Sequence, residues 1–329
     1  MNNQITILGA GAWGTALAVL YADKGPVTLW CRRAEQAKRI SAARENVDYL
    51  PSVALPDNII VTHDRGALQQ AGIILAAMPA QHLPTILQEL KNDLPTAAPI
   101  IICSKGIHVE TTLLLPDAVA QIVAPPNPIA VLCGPNLAAE VARGLPAATT
   151  IAAKDETLAR RLAEALRTPS FRPYASTDIT GVALAGALKN VIALAAGMVI
   201  GAGLGENARA ALVTRGMAEM MRLGLAMGAR METFMGLSGM GDVMLTGYAT
   251  TSRNFSCGYQ LGQGKSLDDV LSERKSVTES LASIRPALAL AARYDVELPI
   301  CHAVADILDN RINVGAALAQ LMARPLKVE

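Results

Sequence analysis

Short, uniformly apolar runs alternate with helically patterned stretches through the first half of the chain. Ile5–Leu8, Val27–Trp30, Ile59–Thr62 and residues 73–77, 100–103, 129–132 and 148–152 have the length and β-branched content of strands. Between them the spacing predicts helices over residues 13–23, 35–44, 82–91 and 156–167. A strand without a polar face must be covered on both sides, which means a parallel sheet flanked by helices. The alternation therefore predicts a doubly wound α/β domain over residues 1–178. Beyond Asp178 the strand signals stop. Helical patterns cover residues 182–198, 208–227, 267–271, 277–294, 301–308 and Val314–Met322, so residues 179–329 are expected to be all-α. Residues 190–205 are nearly all apolar, but only about 15 of them are strongly so, short of the roughly 20 needed to span a bilayer. A buried core helix is the expected form.

Composition narrows the classes of partner. At 329 residues the chain is long for one core, which favours two domains. Lys and Arg total 29 against 28 Asp and Glu, a formal charge of +1 that gives no bulk attraction to nucleic acid or anionic membranes. Cys31, Cys103, Cys133, Cys257 and Cys301 are scattered and odd in number, the usage expected of reduced thiols in a cytoplasmic protein. The four histidines lack metal-ligand spacing, so no metal site is expected. A polar start, Met1-Asn2-Asn3-Gln4, gives no sign of a signal peptide.

Gly9, Gly11 and Gly14 form G-x-G-x-x-G directly after the first strand and at the start of a helix. Gly9 permits the tight turn, Gly11 lets the backbone approach a pyrophosphate, and Gly14 allows close packing of the helix. The helix N-terminus then offers free N–H groups to the phosphates. This context predicts a Rossmann-type dinucleotide-binding domain. The second strand ends in Trp30-Cys31-Arg32-Arg33, with no acid until Glu35. An arginine there suits the 2′-phosphate of NADP, so NADP is expected to be preferred over NAD, with Arg33 as the contact.

Lys189 stands among small and apolar neighbours, Ala185, Gly186, Ile192 and Ala193, on one helix. A lysine that loses hydration there becomes suited to proton transfer, which ketone reduction requires. Gly239-Met240-Gly241-Asp242 and Ser252-Arg253-Asn254 break the apolar helix pattern and suggest ligand-shaped loops; an ordinary helix cap or turn is the alternative for Ser-Arg-Asn. Cys103-Ser104-Lys105-Gly106 and Cys133-Gly134-Pro135-Asn136 follow strands, at the sheet end that faces ligands in open α/β folds. Lys105, Lys189 and Arg253 would supply local positive charge for a small phosphorylated substrate.

Taken in order, Gly9-Ala10-Gly11-Ala12-Trp13-Gly14, Ser104-Lys105-Gly106, Gly134-Pro135, Gly186-Ala187-Leu188-Lys189-Asn190, Gly239-Met240-Gly241-Asp242 and Ser252-Arg253-Asn254 resemble the bacterial NAD(P)-dependent glycerol-3-phosphate dehydrogenases. The resemblance spans Ile5 to about Met322. It implies hydride exchange between NAD(P)H and dihydroxyacetone phosphate to give sn-glycerol 3-phosphate, for glycerophospholipid synthesis, in a cytoplasmic homodimer. It implies Lys189 as the proton donor and acceptor. Lys105, Gly134, Asp242, Ser252, Arg253 and Asn254 would contact substrate. Trp13, Arg33, Lys105, Ala138, Arg253, Val277 and Glu279 would contact the cofactor, with the glycine loop. One stretch departs from the family pattern: a small hydroxyl residue and an aromatic commonly follow Gly-Pro, where this chain has Asn136-Leu137.

Two other readings stay open on the residues alone. A related dehydrogenase with a helical second domain, such as a β-hydroxyacid dehydrogenase or ketopantoate reductase, would use Arg253 for a carboxylate. A dinucleotide-sensing protein without turnover would keep the glycine loop and have no use for Lys189.

Overall fold

The computed structural model describes residues 4–123, 126–273 and 279–325. The chain divides into two compact units: Met1–Lys105 with Leu114–Ala183, and Gly106–Leu113 with Leu184–Glu329.

In chain order the first unit contains β1 (Ile5–Leu8), α1 (Ala12–Ala22), β2 (Val27–Trp30), α2 (Ala34–Ala43), β3 (Glu45–Asn46), β4 (Leu50–Ala54), β5 (Ile59–Thr62) and β6 (Ile73–Ala76). It continues with α3 (Leu83–Leu90), β7 (Ile100–Ile102), α4 (Leu115–Val123), β8 (Ile129–Cys133), α5 (Ala138–Ala142), β9 (Ala147–Ala153), α6 (Glu156–Ala165) and β10 (Phe171–Ser176). Eight strands form one sheet in the order β10-β9-β8-β7-β6-β1-β2-β5. From β5 to β8 the strands are parallel and follow the order of a doubly wound dinucleotide fold, with β1 at the point where the winding reverses. β1, β2 and β6 are buried at every residue, as their unbroken apolar runs require.

The expectation of a parallel sheet needs one correction. β9 pairs antiparallel to β8, with Cys133 opposite Thr150, and β10 then runs parallel to β9. The two last strands thus oppose the other six. β10 also lay outside the strands read from sequence. It is an edge strand, Phe171-Arg172-Pro173-Tyr174-Ala175-Ser176, whose outer residues are solvated and whose Pro173 is tolerated at an edge. The hairpin of β3 and β4 is a second unforeseen element, with only two residues in its first strand.

The helical unit is built on α7 (Ile179–Gly201), which crosses into it from the first unit at Ala183. It is followed by α8 (Gly205–Ala226), α9 (Met231–Met235), α10 (Asp242–Tyr248), α11 (Arg253–Gly262), α12 (Leu267–Ser272), α13 (Glu279–Arg293), α14 (Pro299–Leu308) and α15 (Val314–Met322). α7 is apolar around its whole circumference, so it is buried on all faces. Its 23 residues make it long enough to cross a bilayer, contrary to the 15-residue reckoning; 94% of its most apolar window is buried inside the protein, and that burial marks a core helix.

α7 and α11 cross at very close range. A Cβ on Gly197 would stand 2.1 Å from the Phe255 carbonyl oxygen, and one on Gly201 2.0 Å from that of Tyr259. Reciprocally, a Cβ on Gly258 would meet the Leu194 oxygen at 1.9 Å and one on Gly262 the Met198 oxygen at 2.2 Å. Glycine pairs four apart on both helices thus bring the two backbones into contact.

Glu219 of α8 is buried and accepts the Ile300 amide at 2.8 Å, which caps α14. Its Oε2 is buried without a partner among the described residues. Burial pushes the carboxyl up to about 7, against the pull of the Ile300 and Cys301 amides and of Arg222 and Arg324. A folded state that holds this proton more tightly than the unfolded chain loses stability as pH rises through the gap between the two values. Glu219→Gln is expected to match the wild type below about pH 4 and to exceed it by about 3 kcal/mol at pH 8. Melting temperatures of both proteins across that range check this; parallel curves would refute it.

Candidate active site

The glycine loop leaves β1 at the winding reversal and opens α1. Gly9 has φ +107°, a left-handed region that a side chain rarely tolerates. A Cβ on Gly14 would fall 1.9 Å from the Gly9 oxygen, so the helix must lie against its own turn at a glycine. The missing Cβ of Gly11 faces nothing within 4 Å. α1 has no side-chain cap and no acid in its first turn. Its leading amides and positive dipole end therefore suit a pyrophosphate, and the loop fits a dinucleotide. Trp13 is half-buried against the core.

Arg33 is the exposed N-cap residue of α2, directly beyond the end of β2. Arg32 instead pairs with Glu89 at 3.4 Å, so the two arginines are not equivalent.

Two motifs after strands meet in the first unit. Lys105 Nζ donates to the Gly134 carbonyl at 3.1 Å. Gly134 is buried because β9 passes it: a Cβ there would lie 2.8 Å from the Thr149 Cα. Asn136 donates its Nδ2 to the carbonyls of Pro135 at 2.9 Å and Ala148 at 3.0 Å. Its Oδ1 is a buried acceptor without a partner among the described residues. Asn136 thereby ties the Gly-Pro turn to β9, which a short hydroxyl side chain reaches less easily. Ala138 opens α5, and α5 packs on α1.

The helical unit holds the second constellation. Lys189 Nζ lies 3.0 Å from Asp242 Oδ1, with side-chain exposures of 7% and 1%. Sequence reading treated Lys189 as a cation among apolar neighbours and Asp242 as a loop residue. The structure makes them a buried ion pair that bridges α7 and α10. Asp242 is not on a loop: Leu237–Gly241 form a π-helical turn that runs into α10. Gly239 is required in that turn, since a Cβ would stand 2.1 Å from the Phe234 oxygen. π-turns of this kind concentrate at functional sites.

Ser252-Arg253-Asn254 is likewise not a loop. Ser252 caps α11 by accepting the Phe255 amide, and Arg253 and Asn254 form the first helical turn. The helix-cap alternative for Ser252 is what the structure contains. Arg253 is exposed. Asn254 is buried, donates to Asn190 Oδ1 at 2.8 Å and accepts the Ser280 amide at 3.3 Å. Asn190, next to Lys189, was in the motif but not among the expected site residues. Its Nδ2 is a buried donor without a partner among the described residues. Val277 lies outside the described residues; Glu279 opens α13, and its side chain lies outside them too. Among the described residues no group of three His, Cys, Asp or Glu gathers to hold a metal.

Comparison with known proteins agrees along the whole chain. Residues 4–159 match the N-terminal model of NAD-dependent glycerol-3-phosphate dehydrogenase, and residues 178–319 match the C-terminal model. The chain is 48% identical to the glycerol-3-phosphate dehydrogenase (NAD(P)+) of Rhodospirillum rubrum, over 99% of this chain and 94% of that one. It is 46% identical to that of Parvibaculum lavamentivorans, over 99% and 98% of the two. The crystal structure of the glycerol-3-phosphate dehydrogenase from Coxiella burnetii superposes with a TM-score of 0.93 at 35% identity, covering 98% of this chain and 99% of that one.

Proposed function

The chain belongs to the NAD-dependent glycerol-3-phosphate dehydrogenase family, and from that premise we propose that Lys189 is the proton donor when dihydroxyacetone phosphate is reduced to sn-glycerol 3-phosphate. The enzyme is an NAD(P)-dependent oxidoreductase of this reaction. The observation that carries the assignment of Lys189 is its buried pair with Asp242 at 3.0 Å.

When bound, the dihydronicotinamide supplies hydride to the carbonyl carbon. The developing alkoxide at that centre needs a proton from a group within hydrogen-bond reach. Lys189 carries three N–H donors and can pass one proton to this oxygen while Asp242 holds the ammonium in place. Asn190, the next residue on α7, has a buried amide N–H of its own. Lys105 and Gly134 in the first unit, and Ser252, Arg253 and Asn254 in the helical unit, are the groups we assign to substrate contact, with the cations suited to its phosphate. Gly9, Gly11, Trp13, Gly14, Ala138 and the segment of Val277 and Glu279 are assigned to the cofactor. Residues 1–178 are then the dinucleotide domain and 179–329 the substrate domain.

Arg33 is the residue we assign to the 2′-phosphate, which makes NADPH the preferred cofactor. A charge-assisted bond to phosphate is worth about 1.5–3 kcal/mol. Arg33→Ala is expected to raise KM for NADPH about 10- to 100-fold and to leave that for NADH within about two-fold. A wild-type preference for NADH would overturn the assignment.

The deciding assay follows NADPH oxidation with dihydroxyacetone phosphate and, in parallel, with 2- and 3-oxo acids. Turnover with the oxo acids alone would refute the reading. A cytoplasmic homodimer completes it: the five buried free cysteines suit a reducing compartment, and the dimer rests on the family resemblance alone; light scattering that gives one chain per particle would remove the dimer.

A further inference from the structure

The β3–β4 hairpin has no place in the reaction as described, yet its one fully buried polar side chain reaches the dinucleotide loop. Asn46 is 1% exposed. Its Nδ2 donates to the Ala10 carbonyl at 3.0 Å and to Thr15 Oγ1 at 2.7 Å. Gln36 of α2 donates its Nε2 to the same Ala10 oxygen at 2.8 Å. Two amide groups from separate elements therefore occupy both lone pairs of one carbonyl inside G-x-G-x-x-G.

The hairpin is itself fastened. Arg44, with φ +50°, donates to the carbonyls of Leu55 at 3.2 Å, Ile59 at 3.0 Å and Pro56. The Ser52 amide donates to Glu45 Oε1 at 2.7 Å. Asn46 is thus presented from a braced support and not from a free loop.

In a trans peptide the C=O and the following N–H point to opposite sides. Holding the Ala10 oxygen toward Asn46 and Gln36 aims the Gly11 amide away from both. Among the described residues that amide makes no hydrogen bond. Thr15 donates its own amide to the Gly11 carbonyl at 3.0 Å, the first bond of α1, so Asn46 grips the loop on both sides of Gly11. Without such a grip, the backbone freedom of Gly9 and Gly11 would let the loop sample many conformations. Gln36 adds a second link, because it lies one turn after Arg33 on α2.

We propose that Asn46 is a positioning residue of the dinucleotide loop: it pre-orients the Gly11 amide for pyrophosphate and, with Gln36, keeps the loop in register with the Arg33 end of α2. The inference rests on the dehydrogenase reading above. Its energetic content is preorganisation, so it acts on cofactor affinity and leaves the proton-transfer groups alone.

Full-length wild type, Asn46→Ala, Gln36→Ala and the double variant are titrated with NADPH by fluorescence and assayed with dihydroxyacetone phosphate. Asn46→Ala is expected to raise Kd and KM for NADPH about ten-fold, with kcat at saturating cofactor and KM for dihydroxyacetone phosphate within about two-fold. Gln36→Ala is expected to give about three-fold, and the double variant more than the product of the two, because each single variant leaves the other donor in place. A merely structural role would lower the melting temperature and the active fraction without moving KM. A folded Asn46→Ala protein with wild-type NADPH affinity overturns the proposal. If that variant does not fold, Gln36→Ala, at a half-buried position, decides: unchanged affinity overturns the proposal. Wild type that binds neither dinucleotide would overturn this inference together with the function; wild type that binds, with variants unchanged, would overturn the inference alone.

Discussion

Lys189→Met is expected to lower kcat by about 10³-fold, within the 10²–10⁴-fold range of general acid catalysis, while NADPH still binds. Methionine keeps an unbranched apolar stem of nearly the same volume and removes the ammonium and its protons. The glycine loop belongs to the other compact unit, so the cofactor keeps its principal binding element. The single variant also takes the ammonium away from Asp242, which is only 1% exposed at its side chain. Breaking a buried ion pair from one side costs up to about 3–5 kcal/mol, so the variant is expected to melt below the wild type. That loss must be separated from the loss of chemistry. The double variant Lys189→Met with Asp242→Asn removes both charges and keeps the volumes, and pairs exchanged in this way are often neutral in stability. It is expected to recover most of the melting temperature and none of the turnover. Turnover near the wild-type level in either protein would mean that the proton reaches the ketone from another group.

How far the sequence carried the fold depended on whether a feature was local. β1, β2, β6 and β7 were legible because strands covered on both faces are apolar at every position. The direction of β9 was not legible, since nothing in Ala147–Ala153 itself distinguishes a parallel from an antiparallel neighbour. β10 and the β3–β4 hairpin were missed because edge strands keep polar residues and two-residue strands have no periodicity. In the site, Lys189, Lys105 and the glycine loop stood out by residue type and position. The partners did not. Asp242 is 53 residues beyond Lys189, and Asn254 is 64 beyond Asn190, distances that no helical spacing reports. Glycines around Asp242 suggested a loop, where they serve a π-turn that needs their lack of side chains. The Ser-x-x pattern at 252 was a readable N-cap, the one local signal that would have placed Arg253 and Asn254 on a helix.

Gly258→Ala carries the second large expected effect, and it connects the helical core to the site. The added methyl would sit 1.9 Å from the Leu194 carbonyl oxygen, an atom of the α7 backbone that no rotamer can move aside. Either the helices separate along the whole glycine-paired crossing or the variant does not pack. The cost is expected to be about 3 kcal/mol or more, the upper part of the overpacking range. That corresponds to a fall in Tm of roughly 10 °C. Separation would also pull the start of α11 from α7 and lengthen the 2.8 Å bond between Asn254 and Asn190, the neighbour of Lys189. The folded fraction should therefore show a raised KM for dihydroxyacetone phosphate as well. Gly247→Ala, on α10, supplies the contrast. Its Cβ would meet Val213 at 3.7 Å and Ala196 at 4.0 Å, ordinary contact distances. There the better helix propensity of alanine should prevail, with a Tm equal to or above that of the wild type. Melting curves that rank Gly258→Ala level with Gly247→Ala would show that the crossing tolerates a side chain and that the placement of Asn254 does not depend on it.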